Sequence, residues 1–161
     1  RASGALHDAV SSGASVLAIC AGYQILGNTF PDASGQAVAG LGLIDMYTDR
    51  LVSRAVGELV AESTLLEGSL TGYENHGGAT HLGDGVQPLA RVSVGVGNGD
   101  GTEGAVAGRV IGTYLHGPAL VRNPRLAELL LGWAGDKTLP HFEEPAVEAL
   151  RRERLAFARR S

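Results

Sequence analysis

Apolar positions follow three rhythms along this chain, and each predicts a different element. Val16-Leu17-Ala18-Ile19 is an unbroken run of strand length, the pattern of a strand covered on both faces in a parallel sheet. The stretch from Arg109 to Leu115 reads as a second strand of this kind. Val56 to Glu62 alternates apolar and polar, as a half-buried strand does. Leu41 to Met46, Leu89 to Val96 and Thr71 to Gly78 are further strand expectations, the last ending in a polar, glycine-rich corner. Helical spacing groups Leu6, Ala9 and Val10, with Ser12-Gly13 as a stop. It recurs at Ile25-Leu26, and at Leu126, Leu129, Leu130 and Trp133, where Asn123 is the expected N-cap, Pro124 the first helical residue and Gly135 the close. Pro140 and Pro145 frame a linker before a last helix over 146–160, whose arginines read as a solvated face. Gly- and Pro-rich 28–40 reads as loop, and 95–104 as a flexible hairpin tip whose acids lack calcium-loop spacing. The result is an α/β chain with a mostly parallel sheet, organised as one domain over 1–140 and a C-terminal helical extension over 141–161.

Composition narrows the function. At 161 residues, 44% hydrophobic and 19% charged, the chain fits a single globular domain. A net charge of -4 gives no basic face for nucleic acid. One cysteine excludes an intrachain disulfide and a cysteine zinc cluster, and points to a reducing, cytoplasmic setting. No apolar run approaches the roughly 20 residues of a membrane span. His76 and His81, five residues apart in a Gly-rich corner, are not a ligand pattern, so no metal is expected.

The chemistry centres on Cys20. It ends the first buried strand, and small residues follow it into a helix. Taken alone, such a cysteine reads first as a small core residue. Placed at a sharp strand-to-helix turn, it is also a nucleophile elbow, where the helix dipole favours thiolate. His116 decides between the two. It too ends a buried strand, and Gly117-Pro118 breaks the chain at once. Ligands bind outside the carboxyl ends of strands in open α/β sheets, so this histidine is the candidate base for that thiol.

Ile19-Cys20-Ala21-Gly22-Tyr23-Gln24, Gly40-Leu41-Gly42-Leu43-Ile44-Asp45, Tyr73-Glu74-Asn75-His76-Gly77-Gly78 and Gly112-Thr113-Tyr114-Leu115-His116-Gly117-Pro118 together carry a resemblance. In that order, they resemble class I, triad-type glutamine amidotransferases of the cobyric acid synthase-like branch. Within it they are most similar to the glutaminase subunits that serve amidation of the lipid II glutamate. The resemblance implies a flavodoxin-like fold whose N-terminal strands precede this chain. It also implies hydrolysis of L-glutamine to glutamate and ammonia, with Cys20 as nucleophile and His116 as general base and acid. The Ala21 N–H serves as one oxyanion donor, the other lying in an upstream glycine-rich loop. Gln24, Asn75, Gly77 and Arg54 are the implied substrate contacts, while Asn75 alone is equally turn chemistry and Arg54 equally an exposed strand-edge charge. Many class I members carry an acid two residues after the histidine, and here Pro118 stands there. The resemblance then implies a third triad acid from elsewhere in the fold or from a partner. That partner is a Mur-ligase-like (MurT-type) synthetase subunit in a heterodimer, which holds the ATP and magnesium; this chain needs no cofactor. The alternative is the amidase part of a cobyrinic or cobyric acid synthase.

Overall fold

The computed structural model describes residues 2–141 and 143–160. Helix α1 (Ala2–Ser11) leads into β1 (Val16–Ile19), which turns at Cys20 into α2 (Ala21–Leu26). After β2 (Thr29–Pro31) and β3 (Ala37–Ala39) come two long strands, β4 (Met46–Ser63) and β5 (Ser69–Leu82). Strands β6 (Ala90–Val94), β7 (Thr102–Glu103), β8 (Ala105–Ala107) and β9 (Val110–Thr113) follow. Helices α3 (Ala119–Arg122), α4 (Pro124–Ala134) and α5 (Pro145–Ala158) close the described chain.

The strands form two sheets. In the small one, β9 lies between β1 and β8, parallel to β1 with Ile19 opposite Thr113, and antiparallel to β8. Period-two alternation along β9 sends Val110 into a cluster with Tyr23, Leu26, Leu6 and Val10, and Ile111 into one with Leu59, Leu126 and Trp133. Helices thus cover both faces, as an unbroken apolar strand requires. Gly112 lies against the Tyr23 ring, which a Cβ would overlap. The larger sheet runs β3-β2-β4-β6-β7, with β5 also paired to β4. Among the described residues, parallel pairing is confined to β1–β9 and the single β2–β4 bridge, so the sheet content is more antiparallel than the sequence pattern predicts. The long hairpin of β4 and β5 accounts for most of that difference.

Five local expectations are corrected. Residues 41–45 are not a strand, because their N–H groups serve α2: Leu41 N donates to Ile25 O (2.8 Å) and Leu43 N to Leu26 O (2.8 Å). They satisfy the orphan carbonyls at a helix end rather than a neighbouring strand. The 28–40 segment holds the β2–β3 hairpin, tightened by Ser34 and Gln36 N–H groups on Asp32 Oδ1 (2.8 and 2.9 Å). Strand β5 does not stop at its glycine-rich corner but continues through it to Leu82. Asn123 does precede α4, yet its side chain makes no cap; it accepts from Thr71 N (2.9 Å) and donates to Ala119 O (2.7 Å). On α5, Arg151 is half-buried rather than solvated, donating to Arg122 O (2.8 Å), Asn123 Oδ1 and Ser69 O.

Candidate active site

Cys20 adopts φ 55° and ψ −114°, a backbone conformation that a residue with a Cβ rarely takes. This is the strained turn expected of an elbow, and it is held from both sides. Cys20 N donates to Thr113 O on β9 (2.9 Å), and Cys20 O accepts from Gln24 N in α2 (3.1 Å). The Sγ–H donates to Asn75 O at 3.9 Å. Ala21 is exposed at the first position of α2, where N–H groups have no acceptor within the helix.

His116 stands three residues beyond the end of β9, the parallel neighbour of β1. Its own N–H donates to Tyr73 O at 2.7 Å. Cys20 and His116 therefore both touch one short stretch of β5, at Asn75 and Tyr73. A strand rises about 3.3 Å per residue, which sets those two attachment points roughly 7 Å apart. The imidazole Nδ1 lies 2.8 Å from Tyr114 O. A carbonyl oxygen can only accept, so Nδ1 carries a proton, and in the neutral ring the lone pair falls to Nε2. A half-buried histidine and a thiol at a strained turn, attached two residues apart on one strand, are the pair of groups nucleophilic catalysis needs.

Arg54 and Asn75 are brought together rather than standing apart. Opposite β5, where the register advances two residues from Gly78 to His76, β4 advances five from Arg50 to Ala55. The surplus residues bulge outward, leaving Val52 fully exposed, and the bulge turns Arg54 back over the strand. Its Nε donates to Asn75 Oδ1 (2.7 Å) and a terminal nitrogen to Asn75 O (3.2 Å). Tyr73, Asn75 and Gly77 share the outer face of β5, and a Cβ at Gly77 would enter open space, so the fold itself does not demand glycine there.

Gln24 points inward instead. Its Nε2 donates to Tyr114 Oη (3.1 Å) and packs on Gly78. Tyr114 is one member of a buried polar layer beneath the site. Its hydroxyl hydrogen-bonds to Thr80 Oγ1 (2.7 Å), and its ring stacks on His76 at 3.6 Å. Burial drives the Tyr114 phenol up to about 12, against the hydrogen bonds from Thr80 and Gln24. His76 places Nδ1 on Gly78 O (3.0 Å) and Nε2 on Glu74 Oε2 (3.3 Å). Burial alone would raise the Glu74 carboxyl; hydrogen bonds from His76, Gly97 N and Val96 N outweigh it and hold it below the usual range. His81 lies on the exposed edge, stacked on Tyr47 and 3.5 Å from Asp49. The two histidines thus serve different faces, and no group of three metal-ligating side chains occurs among the described residues.

One residue carries no signal in the sequence pattern. Glu103, inside the stretch expected to be a flexible tip, is fully buried on β7. It accepts from Thr113 Oγ1 and from Tyr114 N (2.9 Å), while its Oε2 has no partner. Burial raises its carboxyl to about 7 despite those two hydrogen bonds. A cavity of about 470 Å³ between the start of β5, α4 and α5 shares no residue with this site; Arg125, Arg151 and Arg152 line it together with Glu67, Glu143 and Glu148.

Comparison with known proteins gives this geometry a family. A model of the CobB/CobQ-like glutamine amidotransferase domain matches residues 1–124. The chain is 37% identical over 145 residues to the GatD subunit of the glutamine-hydrolysing lipid II isoglutaminyl synthase of Staphylococcus aureus, covering 89% of this chain and 58% of that subunit. The GatD subunit of Streptococcus pneumoniae is 38% identical over 138 residues, with 80% and 53% covered. A cobyric acid synthase of Pelotomaculum thermopropionicum is 39% identical over 145 residues, 80% of this chain but 27% of the synthase. The chain therefore spans about half the length of the GatD relatives. The crystal structure of a glutamine amidotransferase superposes with a TM-score of 0.62 at 26% identity, over 83% of this chain and 68% of that one. A second, from Thermotoga maritima, shares the fold at a TM-score of 0.50 and 16% identity, over 98% of this chain and 61% of that one. The chain belongs to the CobB/CobQ-like glutamine amidotransferase domain family and has its class I, mixed α/β fold.

Proposed function

We propose that this chain is the glutamine-hydrolysing part of an amidotransferase, and that Cys20 and His116 carry the reaction. The observation that supports it most directly is the pairing of a strained Cys20 turn with a His116 whose Nδ1 is pinned on Tyr114 O. His116 Nε2 takes the thiol proton, and the thiolate attacks the side-chain amide carbon of L-glutamine. The oxyanion is met by the Ala21 N–H. Collapse of the tetrahedral intermediate breaks the C–N bond, and His116 returns the proton to the departing ammonia. Water, deprotonated by the same nitrogen, then opens the γ-glutamyl thioester and releases glutamate. Arg54 holds the α-carboxylate of glutamine, while Asn75 and Gly77 line the open outer face of β5 where its α-amino end rests. Gln24 acts from below, through Tyr114.

The ammonia passes to a Mur-ligase-like, MurT-type synthetase in a heterodimer that amidates the D-glutamate of lipid II in the cytoplasm, with ATP and magnesium on the synthetase. The similarity to two GatD subunits supports that acceptor. The similarity to cobyric acid synthases supports a second reading, ammonia delivery to a corrinoid carboxylate. Residues 1–140 form the amidotransferase domain, since Leu126 and Trp133 of α4 pack into its core, and 141–161 the extension. The test is ammonia release from glutamine by the complete protein, with and without its synthetase. Cys20→Ala and His116→Ala should each abolish release, and Cys20→Ala should also abolish labelling by a glutamine-analogue chloroketone. Amidation from glutamine that persists in Cys20→Ala defeats the proposal.

A further inference from the structure

His116 has no acid two positions on, yet its Nδ1 is not without support. The peptide unit joining Tyr114 to Leu115 holds the imidazole at its carbonyl end, through Nδ1 (2.8 Å). At its other end, Leu115 N donates to Thr113 Oγ1 at 3.0 Å. The Thr113 hydroxyl in turn donates to the Glu103 carboxylate, and Tyr114 N donates to the same oxygen at 2.9 Å. Every donor in this series points toward Glu103. The order is imidazole N–H to peptide carbonyl, peptide N–H to hydroxyl, and hydroxyl to carboxylate. Bonds aligned in this way polarise one another, so a negative charge at one end makes the carbonyl at the other a better acceptor for an imidazolium.

We infer that Glu103 is a positioning residue for His116, replacing at two removes the acid that other class I members place beside the histidine. The inference rests on His116 serving as the base proposed above. Thr113 and the Tyr114–Leu115 peptide are the connecting parts, and both peptide planes flanking Tyr114 are fixed by the one carboxylate. A hydroxyl at position 113 is required because it must donate in one direction and accept in the other, which neither an aliphatic side chain nor a second carboxylate can do.

The arrangement also makes His116 sensitive to proton uptake at Glu103. Glu74 and His76 face that carboxyl from β5, Tyr23 from α2 and Tyr114 from beyond β9, with Asp100 on the turn before it. A proton on the unpartnered Oε2 leaves Oε1 in its hydrogen bonds but removes the charge at the end of the series.

The test uses the complete subunit labelled with ¹⁵N-histidine, with His116→Asn to assign the signal, and steady-state glutamine hydrolysis by the complete complex. In the parent, His116 should show the Nδ1–H tautomer, with a titration step near pH 7 superimposed on its own protonation. Glu103→Gln should remove that step. Glu103→Gln and Thr113→Val should each lower kcat by roughly tenfold to a hundredfold with KM for glutamine nearly unchanged. Thr113→Ser, which keeps the hydroxyl, should restore most of kcat. Parental kcat in Glu103→Gln or in Thr113→Val, or His116 resonances unaltered by Glu103→Gln, overturns the inference. The tautomer is read without substrate, so that result is separable from the glutaminase reading, which stands or falls with Cys20→Ala.

Discussion

Glu103 offers a test of the buried layer that needs no substrate. Its carboxyl is raised from an ordinary 4.5 to about 7 by burial. Between those values the native state binds more protons than the unfolded chain, so this group lowers stability as pH rises through that window. The full effect develops only above pH 7, and stability is recovered on acidification. A tenfold difference in proton affinity between folded and unfolded chain is worth about 1.36 kcal/mol. Integrated from pH 5 to pH 8, the loss assigned to Glu103 is then on the order of 2–3 kcal/mol. Glu103→Gln mimics the protonated acid and removes this dependence. Urea unfolding of parent and variant at both pH values gives a double difference in which other titrating groups cancel. The variant should gain on the parent by that amount at pH 8 relative to pH 5, even as its kcat falls. A double difference near zero, or one favouring the parent at pH 8, would refute the reasoning, because Glu103 would then be comfortably ionised in the fold.

Three further perturbations address other parts of the site. Glycine tolerates φ 55° and ψ −114° at no steric cost, so Cys20→Gly should be more stable than Cys20→Ala by about 1 kcal/mol in chemical unfolding; equal stability would mean that the elbow stores no strain. Gly112→Ala would drive a methyl into the Tyr23 ring and should cost about 1–3 kcal/mol, seen as a lower melting temperature, with an unchanged Tm counting against the packing described. Arg54→Lys loses the planar fork that grips Asn75 and suits a carboxylate, so KM for glutamine should rise roughly tenfold with a smaller change in kcat; the reverse split would remove Arg54 from binding.

What the sequence made legible depended on whether a feature was set locally. The unbroken run before Cys20 reveals β1 and its end, and the strand expected before His116 is present as β9, parallel to β1 but ending three residues short of the histidine. Leu126, Leu129, Leu130 and Trp133 reveal their helix for the same reason, since a 3.6-residue period is a local property. Glu103 was hidden because its burial is imposed by Thr113 and Tyr114, ten and eleven positions away, within a run of glycines and acids that locally resembles a solvated turn. The bulge that aims Arg54 was likewise silent, because register is a relation between two strands. Residues 41–45 misled for a related reason: their apolar side chains fill the core as a strand's would, while their N–H groups close α2.

The two faces of β5 explain why these distant features form one site. Its outer face carries Tyr73, Asn75 and Gly77, and its inner face Glu74, His76, Gly78 and Thr80. Slipping the strand by one residue would exchange the faces, burying Asn75 and exposing the Glu74–His76 pair. Apolar matching cannot prevent such a slip here, because the stretch is almost wholly polar or glycine. Specific hydrogen bonds do so instead: Glu74 accepts from Val96 N (2.8 Å) and Gly97 N (3.0 Å), and His76 lies flat on Tyr114. A slipped register would strip the buried Glu74 carboxylate of these donors, and an unpartnered buried charge penalises the wrong register heavily. Those same contacts anchor β5 to the turn that leads into Glu103 and to the segment that carries His116. The register that exposes Asn75 to the Cys20 thiol is thus locked by the same buried layer that orients the imidazole. Position of the substrate-facing edge and position of the base are two outcomes of one set of hydrogen bonds.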